Sequence, residues 1–190
     1  MNDIELKDIS KSFGDLKVWD KLSCTFRAGE ISCIEGSSGC GKTTLLNMIA
    51  GIIKSDSGTV TGVPERISYV FQEDRLCEDF SALSNIKLVC GKNKTKEEIV
   101  SHLKELSLDA DSKKSVREFS GGMKRRVAIA RAVCFDSECI LLDEPFKGLD
   151  AELKKSVMDY VLKHRNGRTV ICVTHDKSEA EYLGGTIITF

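Results

Sequence analysis

The residues best suited to chemistry form a glycine-rich segment between an apolar stretch and a helical pattern. The segment follows Ile31–Glu35 and fits the pattern G-x-x-x-x-G-K-[ST], with the members Gly36, Ser37, Ser38, Gly39, Cys40, Gly41, Lys42 and Thr43. Glycines allow backbone N–H groups to turn inward around an anion, and the start of the following helix adds the positive end of its dipole. The pattern, in this strand-to-helix context, predicts a phosphate-binding loop.

Three residues at the end of this segment have the functional groups that a triphosphate requires. We expect the Lys42 ammonium to reach the β- and γ-phosphates and the Thr43 hydroxyl to bind Mg²⁺, with Thr44 beside it.

Further along, an apolar stretch ends in Asp143 and Glu144. This places two carboxylates at the carboxyl end of a predicted strand, where parallel α/β sheets bind ligands. Asp143 suits Mg²⁺ coordination, and Glu144 suits a general base for the attacking water. These two elements predict an ATPase or a GTPase.

A third segment narrows the prediction. Phe119–Ala132 reads F-S-G-G-M-K-R-R-V-A-I-A-R-A and closely resembles the signature of ABC ATPases, usually written L-S-G-G-Q and followed by a basic, alanine-rich helix. Ser120, Gly121 and Gly122 would begin that helix, which makes a second anion site. The resemblance implies that this site meets the γ-phosphate held by the phosphate loop of an opposing subunit, so that ATP is enclosed in a head-to-tail dimer.

Other positions match the same family in its order along the chain, and the resemblance covers almost the whole sequence. Gln72 resembles the Q-loop glutamine, which touches Mg²⁺ and water, and Asp150 resembles the D-loop aspartate. His175 resembles the switch histidine that contacts the γ-phosphate. Phe13 resembles the aromatic residue that stacks on adenine, and Val18 is expected near the ring. A core position for Phe13 at the end of a strand is the alternative.

Three residues depart from the family pattern. Phe119 and Met123 replace the usual Leu and Gln of the signature, and Gly148 replaces the usual Ala of the D-loop. Met123 has no side-chain amide, so any polar contact that Gln makes at this position is lost. The sequence also ends at Phe190, soon after His175, and we expect no control by a C-terminal domain.

The elements that must position these residues follow from the change of pattern along the chain. Strands are predicted at Ile4–Ile9, Lys17–Phe26, Ile31–Glu35, Thr59–Thr61, Ile67–Phe71, Cys139–Leu142, Thr169–Val173 and Thr186–Phe190. A helix from about Lys42 to Ala50 interrupts the first five, and a helical stretch with a capping box of Thr95 and Glu98 follows them. Apolar strands that alternate with helices imply a parallel sheet. The predicted fold class is α/β, that of a RecA-like P-loop NTPase. The ATP-binding core, which includes an N-terminal antiparallel β subdomain, is expected at 1–72 and 136–190. An inserted α-helical subdomain that carries the signature is expected at 73–135.

Composition and charge exclude several classes of protein. The 28 basic and 29 acidic residues produce no overall field that attracts nucleic acid. No leader pattern begins the sequence and no apolar run is long enough for a membrane helix, so we expect a cytoplasmic protein. The eight cysteines lack C-x-x-C spacing and are expected to be free thiols in a reducing compartment. His102 and His164, in charged helical surroundings, are expected at the surface.

The motifs together predict the ATP-binding and ATP-hydrolysing subunit of an ABC transporter. The resemblance implies the cofactors ATP and Mg²⁺, a homodimer or a pair with a second cassette, and permease subunits on other chains at the inner face of the membrane. Glu73–Leu76 resembles cassettes of nitrate, sulfonate and taurine importers.

The alternatives come from other classes of protein. A non-transport ABC ATPase of DNA repair would carry a long coiled coil between Gln72 and Ser120, and this stretch is short and lacks heptads. A translation factor would carry two sets of motifs, whereas this sequence has one. A P-loop kinase of small molecules would leave Ser120 and His175 without a role.

Overall fold

The structure is a computed structural model that describes residues 2–109 and 113–190. These residues form two compact units. The first contains the described residues of Met1–Tyr69, Glu138–Asp143 and Gly167–Phe190, and the second those of Val70–Ser137 and Glu144–Asn166. The limits predicted for the helical lobe, 73–135, stay a prediction, and residues 110–112 of that lobe lie outside the described residues.

The described residues form eight strands in two sheets. They are β1 (Ile4–Phe13), β2 (Leu16–Phe26), β3 (Ile31–Glu35), β4 (Ser57–Thr61), β5 (Ile67–Val70), β6 (Cys139–Asp143), β7 (Thr169–Val173) and β8 (Thr186–Thr189). One sheet has the order β2-β1-β4 and antiparallel pairs. The other has the order β5-β6-β7-β3-β8, and in it β3 pairs in parallel with β7 and β8, and β6 with β7. The predicted α/β class, with an antiparallel and a parallel part, is confirmed.

Strand β1 is longer than the sequence predicted because its backbone pairing continues beyond the apolar pattern. Leu6 and Ile9 are both buried although they are three residues apart. A register shift between them, with Asp8 at φ 51°, turns both side chains to the same face. The strand then continues with polar residues to Phe13, which pairs with Leu16 across the turn. Period-two hydrophobicity therefore marked only its first half.

Six helices are present in the same described residues. In the first unit are α1 (Lys42–Ile49) and α6 (Lys177–Leu183), and in the second are α2 (Ala82–Cys90), α3 (Lys96–Glu105), α4 (Gly121–Cys134) and α5 (Ala151–His164). None of these helices is both long and apolar enough to cross a membrane. In the first unit, α1 and both sheets bury one apolar cluster that includes Leu6, Ile9, Trp19, Phe26, Leu45, Leu46, Leu141 and Ile171.

Polar side chains begin all four helices of the second unit. The N-cap residues are Ser81, Thr95, Ser120 and Asp150, and the side chain of each accepts a hydrogen bond from a backbone N–H in the first turn. The capping box of Thr95 and Glu98 is confirmed, because each side chain also bonds the backbone of the other residue. These caps fix where each helix starts, and two of them belong to predicted site residues.

The prediction that His102 and His164 lie at the surface is wrong. The Nδ1 atom of His102 lies 2.9 Å from the Tyr160 hydroxyl, and the two histidine rings lie 4.7 Å apart between centroids. His164 Nε2 lies 2.9 Å from a carboxylate oxygen of Glu105. Burial and the neighbouring His164 lower the pKa of His102. The charged pattern of α3 alone could not reveal the partner helix α5 that half-buries this group.

The cysteines are free thiols, and five of them are buried, namely Cys33, Cys90, Cys134, Cys139 and Cys172. Burial raises the pKa of Cys33 to about 11 and that of Cys139 to about 12. A thiol that stays protonated in an apolar strand packs as a small hydrophobic side chain.

Candidate functional site

The glycine-rich loop connects β3 to α1, as its sequence predicted. Gly39 and Gly41 have φ of 82° and 98°, a backbone region that favours glycine. Gly41 also lies against β2, because a Cβ atom there would stand 2.3 Å from Val18 Cγ1. Along Gly36–Thr44 the exposed residues are Ser37, Ser38, Gly39 and Thr43, and Gly36, Cys40 and Thr44 are half-buried. Only glycine permits this close approach of the loop to the strand.

The Lys42 side chain turns back into the loop and is only 7% exposed. Its ammonium donates hydrogen bonds to the carbonyl oxygens of Gly36, at 2.8 Å, and Ser37, at 2.7 Å. The Cys40 sulfur lies 3.7 Å from the same nitrogen. An ammonium has three donors, and a phosphate oxygen is a much better acceptor than a thiol. A phosphate in the loop would therefore take the donor that points to Cys40.

Trp19 holds the start of α1 from outside the loop. Its indole Nε1 donates a 3.2 Å hydrogen bond to the Gly41 carbonyl oxygen, and its ring packs edge-on to Phe190 at 5.0 Å between centroids. Trp19 is buried, and it is the single tryptophan of the chain. Trp19 was not identified from the sequence, because its partner Gly41 lies 22 residues away along the chain.

Asp143 ends β6 at the same edge of the parallel sheet as the loop. It pairs in register with Val173 on β7, and Val173 pairs with Ile34 on β3, next to the loop. The Asp143 side chain is almost completely buried, with 1% of the residue exposed. A buried carboxylate and the Thr43 hydroxyl are hard oxygen donors of the kind that Mg²⁺ prefers. Their chemistry fits a magnesium ion at this edge.

His175 follows β7 at this edge, in a turn that side chains hold on both sides. The Thr174 hydroxyl donates to the buried carboxylate of Glu179 at 2.5 Å and accepts the N–H of Asp176 at 3.0 Å. The Asp176 carboxylate in turn accepts the N–H of Ser178. The structure thus fixes the backbone on either side of His175.

Phe13 is not a core residue, which removes the alternative considered for it. Its side chain is 48% exposed at the end of β1, and the Lys11 ammonium lies 5.4 Å from its ring centroid. Val18, which lies against Gly41, is half-buried. An exposed aromatic ring offers a face on which a flat base can stack.

Gln72 lies in the second unit, in the segment that follows β5. Its backbone carbonyl accepts a hydrogen bond from the Arg125 guanidinium of α4, and so does the carbonyl of Phe71. Asp74 forms an ion pair with Arg125 at 3.3 Å. Burial raises the pKa of the Asp74 carboxyl in spite of that arginine. Arg125 was not identified from the sequence, because its partners Phe71 and Gln72 lie more than 50 residues away along the chain.

Glu144 has an unusual backbone for its residue type. Its φ is 47°, in the left-handed region that only a few per cent of non-glycine residues adopt. A Glu144 carboxylate oxygen forms an ion pair with Lys147 at 2.8 Å, and the glutamate side chain is only 18% exposed. Backbone strain of this kind concentrates at functional sites.

Ser120 and Asp150 both serve as helix caps in the second unit. The Ser120 hydroxyl accepts the N–H of Met123 at 3.3 Å, so Gly121 and Gly122 form the first turn of α4. A carboxylate oxygen of Asp150 accepts the N–H of Leu153 at 2.9 Å. The expected helix start at the signature is confirmed, and Asp150 has a structural role whatever its role toward a ligand.

Comparisons with known proteins agree with this geometry. The family model described as ABC transporter matches residues 19–147. The chain is 34% identical to the aliphatic sulfonates import ATP-binding protein SsuB 2 of Burkholderia cenocepacia (strain HI2424), over 97% of this chain and 72% of that protein. It is 35% identical to the taurine import ATP-binding protein TauB of Roseobacter denitrificans (strain ATCC 33942 / OCh 114), over 99% and 77%. These relatives favour the transporter prediction over DNA repair or translation.

Solved structures lead to the same family. A bacterial ABC transporter cassette solved as a dimer has a TM-score of 0.86 and 29% identity, covering 98% of this chain and 94% of its own. The same cassette in a post-hydrolysis state with ADP and Pi has a TM-score of 0.85, with 28% identity and the same coverage. The loop around Lys42, the carboxylate at the end of β6 and these likenesses establish that the chain belongs to the ABC transporter family, as one of its ATP-binding, ATP-hydrolysing subunits.

Proposed function

We propose that this subunit couples MgATP-driven closure of a cassette dimer to alternating access in separate membrane permease subunits, from the inner face of the membrane. The observation that carries the proposal is the Lys42 ammonium, held inside a glycine loop on the same sheet edge as the buried Asp143. Import is the proposed direction, since the relatives for sulfonates and taurine are import proteins.

The phosphate loop, Gly36–Thr44, holds the triphosphate in this proposal. Its backbone N–H groups and the Lys42 ammonium bind the β- and γ-phosphates. The Thr43 hydroxyl, the Asp143 carboxylate and the Gln72 side-chain oxygen are the proposed Mg²⁺ ligands. Magnesium, when bound, neutralises charge on the phosphate oxygens. Phe13 stacks on the adenine, with Val18 beside it.

Two residues act on the γ-phosphate and the water that attacks it. Glu144 accepts the proton of the attacking water as general base, and His175 contacts the γ-phosphate. The Lys147 side chain that pairs with Glu144 is 55% exposed, so solvent can take over the ammonium when the carboxylate turns to the attacking water. The strained backbone at Glu144 supports this role.

The second half of each site comes from the opposing subunit. Ser120, Gly121 and Gly122 begin α4, and their N–H groups with the helix dipole form the second anion site for the γ-phosphate. Asp150 of the D-loop belongs to the same interface. ADP lacks the γ-phosphate that bridges the two subunits, so dimerisation depends on ATP.

The test uses Glu144→Gln, which keeps the shape of the side chain and removes its proton-accepting charge. We expect this variant to bind ATP without turning it over, and to elute from a sizing column as a dimer with ATP and as a monomer with ADP. Adding Ser120→Arg should abolish the dimer, because a large side chain fills the second anion site. Hydrolysis at the parent rate would remove Glu144 from the mechanism. An inactive but monomeric variant at high ATP would contradict a self-paired dimer.

A further inference from the structure

All three guanidinium nitrogens of Arg125, on α4, contact the segment around Gln72. Nη1 donates to the Phe71 carbonyl oxygen at 2.7 Å, Nη2 donates to the Gln72 carbonyl oxygen at 2.5 Å, and Nε lies 3.3 Å from the Asp74 carboxylate. The residue is only 8% exposed. A planar guanidinium can bind three partners at fixed angles, and a lysine ammonium cannot reproduce that geometry.

A second arginine of the same helix holds the next part of this segment. Arg131 donates to the carbonyl oxygens of Arg75, at 2.8 Å, and Asp74, at 3.1 Å. The segment also has a cation–π contact of its own, because the Arg75 guanidinium lies 3.8 Å from the centroid of the Phe71 ring. Residues 71–76, called the glutamine loop below, are therefore fixed to α4 through backbone groups.

The same helix begins at Ser120, the proposed contact for the γ-phosphate of the opposing subunit. We propose that Arg125, assisted by Arg131, is a positioning residue that fixes the glutamine loop to α4, so that Gln72 follows any movement of the signature helix. The proposal rests on the proposed roles of Gln72 and Ser120. In this arrangement, when nucleotide binding displaces α4, the glutamine loop moves with it. The displacement is transmitted by hydrogen bonds from two arginine side chains to four backbone carbonyl groups.

Arg126 supplies a matched control in the same helix. It is 9% exposed, and its guanidinium also binds backbone carbonyl oxygens, those of Leu106 at 2.6 Å, Ser107 at 3.1 Å and Gly122 at 3.2 Å. These partners lie outside the glutamine loop. Arg126→Lys therefore removes an equally buried clamp without touching residues 71–76.

The first test measures hydrogen exchange of backbone amides in the native protein. Arg125→Lys should speed exchange in residues 72–76 by about tenfold or more, because charge-assisted hydrogen bonds that hold the loop are lost. Arg126→Lys should speed exchange near residues 106–108 and leave 72–76 as in the parent. Equal exchange of 72–76 in the parent and Arg125→Lys would overturn the proposal, as would equal acceleration there by both variants.

The second test is a double-mutant cycle on the ATPase rate at saturating MgATP. Arg125→Lys should lower kcat by about tenfold to a hundredfold with little change in KM, since misplacement of a catalytic group has effects of this size. In a Gln72→Ala background the same substitution should have less than about a twofold effect, because the group it positions is gone. Arg126→Lys should have the same effect in both backgrounds.

The outcomes separate this inference from the proposed function. Equal kcat losses from Arg125→Lys with and without Gln72 would overturn the positioning role while leaving Gln72 in the mechanism. If Gln72→Ala alone leaves kcat unchanged, the proposed role of Gln72 fails and the positioning role fails with it. Should Arg125→Lys not fold, Arg125→Gln, whose amide can still donate to one carbonyl, replaces it in both tests, with the same expected pattern at reduced size.

Discussion

The phosphate loop and the glutamine loop are held in opposite ways. In the phosphate loop, Lys42 bonds carbonyl groups five and six residues away, and Cys40 lies two residues away. In the glutamine loop, the bonds come from Arg125 and Arg131, 53 to 57 residues further along the chain. The first loop is held mainly by its own residues and the second by a helix.

This difference bears on how each loop can respond to a ligand. A phosphate can draw a donor of Lys42 away from Cys40 while the two carbonyl bonds stay, so the phosphate loop can adjust without movement of a helix. The glutamine loop cannot adjust in this way, because its backbone carbonyl oxygens accept hydrogen bonds from the guanidinium groups of α4. We therefore expect the first loop to bind the nucleotide and the second to transmit its effect.

The largest effect is expected at Gly41, where the phosphate loop contacts strand β2. Gly41→Ala should lower the free energy of unfolding by about 2 to 5 kcal/mol. A left-handed backbone conformation destabilises a residue that has a Cβ atom by about 1 to 2 kcal/mol. Overpacking of the new methyl group against Val18 adds about 1 to 3 kcal/mol. Urea denaturation measures the loss.

Gly39→Ala is the matched control, because its φ is also positive and no atom lies within 4 Å of the added Cβ. It should lose only the conformational part, about 1 to 2 kcal/mol. Equal losses for the two variants would show that contact with β2 contributes nothing, and that the phosphate loop depends on its own residues alone.

Lys42→Ala should have the next largest effect and tests which loop binds the phosphates. The triphosphate would lose a charge-assisted contact of about 1.5 to 3 kcal/mol, which weakens ATP binding at least about tenfold. Calorimetry with ATP measures the affinity. Lys104→Ala, at an exposed position of α3, should bind like the parent, and an unchanged affinity in Lys42→Ala would contradict the phosphate-loop assignment.

The way each loop is held also decides what the sequence could predict. The phosphate loop could be predicted because its glycines, lysine and flanking strand and helix are contiguous, and α1 begins at Lys42 as expected. Arg125 and Trp19 could not, because their partners lie 53 and 22 residues away and no local pattern names them. His102 and His164 were misjudged for the same reason. The roles of the site residues stay predictions until the variants are measured.

Phe13→Ala should have the smallest effect, and it tests whether the adenine base is bound outside both loops. The exposed ring at the end of β1 is the proposed stacking surface for adenine, and loss of stacking is worth about 1 kcal/mol. ATP affinity should therefore fall about fivefold. Binding of inorganic triphosphate should stay unchanged, because the phosphate loop and Lys42 are intact.

Leu16 provides the control for this last variant, since it pairs with Phe13 across the turn and is 67% exposed. Leu16→Ala removes a similarly exposed apolar side chain that has no aromatic face, so neither ligand should bind differently. Calorimetry with both ligands on both variants separates base recognition from a general disturbance of the turn. If Phe13→Ala weakened ATP and triphosphate equally, the ring would act through the phosphate loop, and recognition of the base would have to lie elsewhere.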